Sequence, residues 1–224
     1  MIITIDGPAG SGKSAAAELL ARRLSTRHLD TGAMYRSVAL QALNHGFSTE
    51  NSDPKVIGQL ASAMNLTFDW RTHPAKILLD GMDVSSDIRK PAVTAMVYLA
   101  ADNTAVRTEL VRRQRAVAAE SDSLVTEGRD QGTLVFPDAD FKFYLDADIQ
   151  ERARRRLDEL TRKGIVIDAQ AVLADMEIRD QRDRNRDVGA LKLAPDAIVV
   201  DTTAMTLPEV VDTMIRIIGK QSHG

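Results

Sequence analysis

The first fourteen residues constrain the fold more than any other stretch. Ile2 to Ile5 form a short apolar strand that runs through Asp6 into Gly7-Pro8-Ala9-Gly10-Ser11-Gly12-Lys13-Ser14, which matches G-x-x-x-x-G-K-[ST] without departure. Behind it, Ala16, Leu19, Leu20 and Leu24 fall on one face of a helix. Strand, glycine loop and helix are the context that a phosphate-binding loop requires. Glycines let backbone N–H groups turn inward around phosphate oxygens, because no Cβ blocks the approach. The helix N-terminus adds free donors and a partial positive charge. In such a loop Lys13 reaches the β- and γ-phosphates and the Ser14 hydroxyl ligates Mg²⁺. The expected nucleotide-binding stretch is therefore Gly7, Pro8, Ala9, Gly10, Ser11, Gly12, Lys13, Ser14 and Ala15, with Ser14 as the metal ligand.

Strand and helix signals alternate along most of the rest. Helices are expected after Asp30, from Pro54 with Ser52 or Asp53 as cap, from Pro91, and from Asn103 or Thr104. Others are expected from Asp148 to Lys163, from Asp168 to about Asn185, and after the capping box Thr206-x-x-Glu209. A second strand is expected just before Asp30-Thr31-Gly32, a buried strand at Leu124–Thr126, and further strands at Phe141–Leu145 and Ala197–Val200. This order predicts a mostly parallel sheet with helices on both faces, and ligands at the carboxyl ends of the strands. One stretch breaks the pattern. Leu66, Phe68 and Trp70 alternate with polar residues, Lys76–Leu79 is a second short strand, and Asp80-Gly81 is a hairpin turn. Met82–Ile88 would add a third strand. Antiparallel hairpins do not belong inside a parallel core, so residues 65–90 read as an inserted subdomain, with 1–64 and 91–224 as the core. A chain of 224 residues suits one core with one small insertion.

The net charge of −3 argues against a general nucleic-acid binder, so clustered arginines are expected to serve a small anionic ligand. With no cysteine, disulfides, thiolate nucleophiles and cysteine-bound metals are excluded. The N-terminus has no charged n-region or apolar h-region, and no apolar run approaches the roughly 18 residues of a membrane span. A cytoplasmic enzyme with no membrane partner is expected.

Phosphate loops serve GTPases, motors and kinases alike, so the remaining ligand-rim residues must decide. Three features stand out. Asp30-Thr31-Gly32-x-x-Tyr35-Arg36 follows the second strand, where helix N–H groups and an arginine can hold an anion. Gly128-Arg129-Asp130 ends a buried strand. Arg179, Asp183 and Arg186 share one helical stripe, continuous with Val172 and Met176. A capped helix, a structural ion pair and a solvated charged face are the plainer readings of the three. Taken together, the surplus arginines imply a second phosphorylated substrate. The base-reading run N-K-x-D of GTPases is absent. A small-molecule phosphotransferase is expected.

Over almost its whole length the sequence resembles the bacterial cytidylate kinases, within the nucleoside monophosphate kinase group. The resemblance is carried by the loop with its strand, by Leu29-Asp30-x-Gly32-Ala33-Met34-Tyr35-Arg36, by Asp83-Val84-Ser85 with Ile88-Arg89, and by Val106-Arg107 with Arg113-Gln114-Arg115. It continues in Glu127-Gly128-Arg129-Asp130-x-Gly132-Thr133-x-Val135-Phe136-Pro137, in Glu151-Arg152-Ala153-x-Arg155-Arg156, and in Arg179-Asp180-x-Arg182-Asp183-Arg184-x-Arg186.

The resemblance implies a five-stranded parallel sheet, an insertion over the monophosphate site and a short lid near 152–165. It implies transfer of the γ-phosphoryl group of ATP to CMP or dCMP with Mg²⁺, by a monomer; another monophosphate kinase, such as one for UMP, is the alternative. The implied catalytic set is Lys13, Arg129, Arg186 and Asp130. Thr31, Arg107 and Asp130 look like the cytosine readers. The chemistry agrees, since a carboxylate accepts from the N4 amino group and a guanidinium donates to the ring acceptors. Arg36, Arg129 and Arg186 look like the phosphate clamp, and Arg179 and Asp183 like the ribose contacts. Tyr35 joins the substrate set, and Arg155 and Arg156 look like lid contacts to ATP. Position 98 departs: the family usually has a serine contacting the sugar where this chain has Tyr98.

Overall fold

Residues 1–162 and 164–221 are described by the structure, a computed structural model. In chain order the elements begin β1 (Ile2–Asp6), α1 (Lys13–Arg23), β2 (Arg27–Asp30), α2 (Thr31–Asn44), α3 (Pro54–Ala63), β3 (Leu66–Asp69), β4 (Lys76–Leu79) and β5 (Met82–Asp83). A 3₁₀ turn at Asp87–Arg89 precedes α4 (Pro91–Ala101), α5 (Thr104–Ala119) and β6 (Leu124–Glu127). A π turn at Gln131–Val135 precedes β7 (Phe141–Asp146), α6 (Ile149–Arg162), α7 (Ala169–Arg184), β8 (Ile198–Asp201) and α8 (Leu207–Gln221). Five strands form one parallel sheet in the order β2-β6-β1-β7-β8, and β3, β4 and β5 form a small antiparallel sheet. The chain divides into two compact units, residues 1–26 with 125–224, and residues 27–124.

In the first unit, β1 pairs in parallel with β7, Ile3 opposite Phe141 and Asp6 opposite Tyr144; β7 in turn pairs with β8. Successive side chains of a strand point to opposite faces. Ile3 and Ile5 enter an apolar cluster with Ala16, Ala17, Leu20 and Ala21 of α1 and Val210, Val211, Met214 and Ile218 of α8. Thr4 and Asp6 take the other face, which is buried but polar. There the π turn lies close: a Cβ on Gly132 would stand 3.1 Å from Thr4 Oγ1 and 3.2 Å from Lys142 Cδ. The caps read from sequence are present. Thr206 N donates to Glu209 Oε2 at 2.8 Å, and Ala171 N donates to Asp168 Oδ2 at 3.0 Å. One placement differs from the sequence expectation. α7 ends at Arg184 with Asn185 as cap, so Arg186 lies beyond the helix rather than on its stripe. α6 is described to Arg162; Lys163, the expected end, lies outside the described residues.

In the second unit, Asp30 caps α2 by accepting from Ala33 N at 3.0 Å, Asp53 caps α3 with Pro54 at its first position, and Asn103 caps α5. The β3–β4 pairing sets Leu66 opposite Leu79. Asp80 and Gly81 both have positive φ, 51° and 82°, the mirror-image turn that a tight hairpin needs. β5 covers only two residues of the longer strand expected. Ser85 Oγ takes the hydrogen bond of Ile77 N at 2.9 Å, and the 3₁₀ turn follows. Trp70 falls just past β3, stacked on Phe68 with centroids 5.1 Å apart. No described helix is long and apolar enough to cross a membrane.

Candidate active site

The loop between β1 and α1 turns on three glycines with positive φ, Gly7 (146°), Gly10 (76°) and Gly12 (89°). Gly7 has no alternative, since a Cβ there would sit 2.0 Å from Leu145 O. Lys13 is buried inside the loop it follows, donating to Pro8 O at 2.6 Å and Ser11 Oγ at 3.3 Å. Burial, and then the charge of Arg129, lower its pKa to about 7 against the opposing fields of Glu127 and Asp183. Ser14 and Ala15 are exposed in the first turn of α1.

Arg129, at the end of β6, donates from Nε to Asp183 Oδ2 at 2.7 Å, and Arg186 donates from Nη2 to Asp183 Oδ1 at 2.8 Å. One carboxylate thus gathers two of the three arginines that the resemblance assigns to a phosphate clamp. Burial opposes its charge, but the two guanidiniums hold the Asp183 carboxyl below its ordinary value. Arg179 stands one turn earlier on α7, with Asp175 3.9 Å away. Burial and then Arg129 lower its pKa. Asp130 is buried where the π turn starts, and its carbonyl accepts from Leu134 N at 2.9 Å. That turn is tied to β1 by Asp6, whose carboxylate accepts from Gln131 N at 2.9 Å and Gly132 N at 2.7 Å. Burial raises the Asp6 pKa to about 6.

Arg155 lies against the β8–α8 connection. It donates to Glu151 Oε1 at 2.8 Å, Thr202 Oγ1 at 3.1 Å and Thr202 O at 2.5 Å. Thr202 Oγ1 in turn donates to Ser11 O at 3.1 Å, so the arginine and the loop share one threonine. Arg156 instead pairs with Glu159 on its own helix at 2.7 Å, in a half-exposed position.

The second unit carries the remaining residues. Thr31 is buried at the first position of α2. Arg36, on the next turn, donates to Thr94 Oγ1 at 2.8 Å and Ile88 O at 3.4 Å. Arg107 is 3% exposed, donates to Ala101 O at 3.2 Å, and lies 5.4 Å from the centroid of the Tyr35 ring. A buried arginine over an aromatic face is oriented as well as partly compensated for its lost hydration. Tyr98 is half-buried on α4.

Several contributors escaped the sequence reading. Asp6 organises the turn that bears Asp130, and Glu127 is buried in the field of Lys13. Arg89 pairs with the capping Asp30 at 3.1 Å. Arg152 and Asp180 form a fully enclosed ion pair at 2.6 Å. Glu127 stands at the end of a buried strand, two residues before Arg129, so position alone could have flagged it. The other three depend on contacts between distant stretches.

Chemically, the first unit offers a cradle of N–H groups, an ammonium and two guanidiniums gathered on one carboxylate. The family model described as "Cytidylate kinase" matches residues 3–220. Among curated relatives, the cytidylate kinase of Mycolicibacterium paratuberculosis is 44% identical, covering 100% of this chain and 97% of the relative. The cytidylate kinase of Vibrio parahaemolyticus is 43% identical over 97% of this chain and 95% of its own. Among solved structures, a Thermus thermophilus protein shares the fold with a TM-score of 0.52 at 16% identity, covering 99% of this chain and 97% of that one. An uncharacterised Eubacterium ventriosum protein does so with a TM-score of 0.51 at 14% identity, covering 98% of each chain. The match to the family model across nearly every residue, and relatives this similar over their full length, show that the chain belongs to the cytidylate kinase family.

Proposed function

We propose that this protein transfers the γ-phosphoryl group of ATP to CMP or dCMP, giving ADP and CDP or dCDP. The observation that carries the reading is the convergence of Arg129 and Arg186 on Asp183, with Arg129 close enough to Lys13 to depress its pKa. A pair of guanidiniums gathered beside the loop's own lysine suits a second anion next to the triphosphate.

In this reading the loop holds the ATP phosphates, and Lys13 stabilises charge on the phosphoryl group as it moves. Ser14 suits a magnesium ion that arrives with ATP: its hydroxyl is a hard oxygen donor on an exposed first turn, and among the described residues no group of three or more acidic or histidine side chains forms a cage. When bound, the ion neutralises charge on the phosphate oxygens. Arg36, Arg129 and Arg186 take the acceptor phosphate. Asp183 orients both of its arginines, and a carboxylate has lone pairs left to accept from a ribose hydroxyl beside Arg179. Asp130 accepts from the cytosine amino group, with Arg107 and Thr31 on the ring acceptors, while Tyr35 orients Arg107 and Tyr98 stands near the sugar. Arg155, anchored at Thr202, and Arg156 belong to a lid near 152–165 that engages ATP, and residues 65–90 act as the inserted monophosphate-binding subdomain. Lys163 of that lid lies outside the described residues. The acceptor oxygen attacks the γ-phosphorus directly, since positioning and charge neutralisation suffice and no protein nucleophile is required. The enzyme works as a monomer in the cytoplasm, without nucleic-acid or membrane partners.

A coupled assay of ADP formation, with ATP and each nucleoside monophosphate in turn, tests the reading. CMP and dCMP should be the best acceptors; equal or faster use of UMP would overturn the assignment of the base.

A further inference from the structure

Arg152 and Asp180 are each 5% exposed at their side chains and meet at 2.6 Å. Neither is placed against nucleotide in the proposed mechanism. Arg152 Nη1 donates both to Asp180 Oδ2 at 2.6 Å and to Ala9 O, in the middle of the phosphate loop, at 3.0 Å. Its Nε donates to Ala147 O, just past β7, at 3.0 Å. A guanidinium is planar and rigid, so three acceptors bound to it are fixed relative to one another. The loop, the end of β7 and α7 are thereby set in one geometry.

The contact is close as well as polar. A Cβ on Gly10 would lie 3.2 Å from Arg152 Cβ and 2.8 Å from Met176 Cε, so the loop backbone is pressed onto α6 and α7. The Ala9–Gly10 peptide is trans, and in a trans peptide C=O and N–H point in opposite directions. Holding the Ala9 carbonyl on Arg152 therefore aims the Gly10 N–H away from α6. The pair is not optimised for stability, since Asp180 Oδ1 is buried and accepts no hydrogen bond. Buried ion pairs are often no more stabilising than apolar residues of the same volume.

We propose that Arg152, held in place by Asp180, is a positioning residue for the phosphate loop, fixing the Ala9–Gly10 peptide so that the loop's N–H groups stand ready for the donor nucleotide. It rests on the reading that this loop takes ATP. The pair touches no substrate. It acts through the loop backbone, and through α7 it ties the loop to the helix that carries Arg179 and Asp183.

The test is the apolar double variant Arg152→Met/Asp180→Leu, compared with wild type in thermal stability, in KM for ATP and for CMP, and in ADP binding by calorimetry. The expected result is a melting temperature close to wild type, ADP binding and kcat/KM for ATP weakened about tenfold or more, and KM for CMP within about threefold. Arg152→Lys, which keeps the charge and can still reach one carbonyl, should recover part of the ADP affinity. If the double variant does not fold, Asp180→Asn keeps the shape of the pair and should show the same selective loss. A folded variant with unchanged ADP affinity, or one that weakens ADP and CMP equally, overturns the proposal. Calorimetry with ADP needs no acceptor, so it decides this point even if wild-type enzyme were to prefer another monophosphate.

Discussion

Acidification should stabilise the wild-type protein relative to an Asp6→Asn variant. Asp6 is 4% exposed, and its carboxyl is pushed from an ordinary 3.8 up to about 6, chiefly by burial, with the two backbone N–H bonds opposing the rise. A carboxyl raised in the native state holds its proton there at pH values where the unfolded chain has released it. Through that window the native state binds more protons, so stability falls as pH rises; the contribution is fully present below 3.8 and lost once pH passes about 6. The gap between the two values corresponds to about 3 kcal/mol. Asparagine has nearly the same shape and is neutral throughout. Its amide keeps one acceptor for Gln131 N or Gly132 N and turns a donor toward the other, a cost of about 1–3 kcal/mol that does not vary with pH. Titrating groups outside the field of Asp6 are common to both proteins and cancel in the difference; Lys13 and Asp130 share that field and shift between the two. Urea unfolding of both at several pH values between about 4 and 7.5 should show the stability difference moving toward wild type by about 2.5 kcal/mol at the acid end. A difference that stays flat across the range, or moves the other way, would refute the assignment of a protonating carboxyl at this site.

Lys13→Ala should fold normally and lose about a hundredfold or more in kcat, about 3 kcal/mol of transition-state stabilisation; single-turnover kinetics within threefold of wild type would remove Lys13 from the mechanism. Asp130→Asn should raise the UMP/CMP ratio of kcat/KM, because its amide brings a donor for the uracil O4, in a contact worth about 1–3 kcal/mol; an unchanged ratio would show that this residue does not read the base. Gly7→Ala should fail to accumulate as soluble protein or melt far below wild type, since its Cβ would meet the Leu145 carbonyl at 2.0 Å; a variant as stable as wild type would contradict that packing. With a tyrosine at position 98, CMP and dCMP should be used within about tenfold, about 1.4 kcal/mol, and Tyr98→Ser should shift their ratio. A wild-type preference for CMP above about a hundredfold, or a variant ratio that does not move, would refute this.

The parts of the fold legible in the sequence are those with local causes. Asp30, Asp53, Asn103, Asp168 and the Thr206–Glu209 pair cap the helices that their spacing announced, because a cap is decided within four residues. The phosphate loop was legible for the same reason. The alternating Leu66–Asp69 strand and the Asp80-Gly81 turn were likewise plain, but the end of the third strand was not. It depends on Ser85 displacing a backbone partner across the hairpin. Within the candidate site, Arg129 and Arg186 were identified by type and motif. Their common partner Asp183 is read from the resemblance as a ribose contact, and the expected helical stripe runs two residues past the helix. The π turn and its anchor at Asp6 had no local signal at all. Gln131 and Gly132 look like any loop until a strand from the start of the chain brings a carboxylate beneath them. The Arg152–Asp180 pair was hidden likewise: both residues lie in charge-dense runs whose default reading is a solvated face.

The strand order has a consequence for how the chain is made. β1 is synthesised before the strands that flank it, β6 and β7, so Ile3 must wait for Phe141 before it can pair. Residues 27–124 form a continuous unit that is synthesised whole during that wait. Nascent domains fold as units once they have emerged, and pairing between distant strands comes late. The middle of this chain should therefore be ordered while its beginning is still an unpaired apolar strand. That strand is only five residues long, and it ends in a carboxylate and a glycine-proline step. Brevity and a terminal charge are what keep an open strand from recruiting the wrong neighbour.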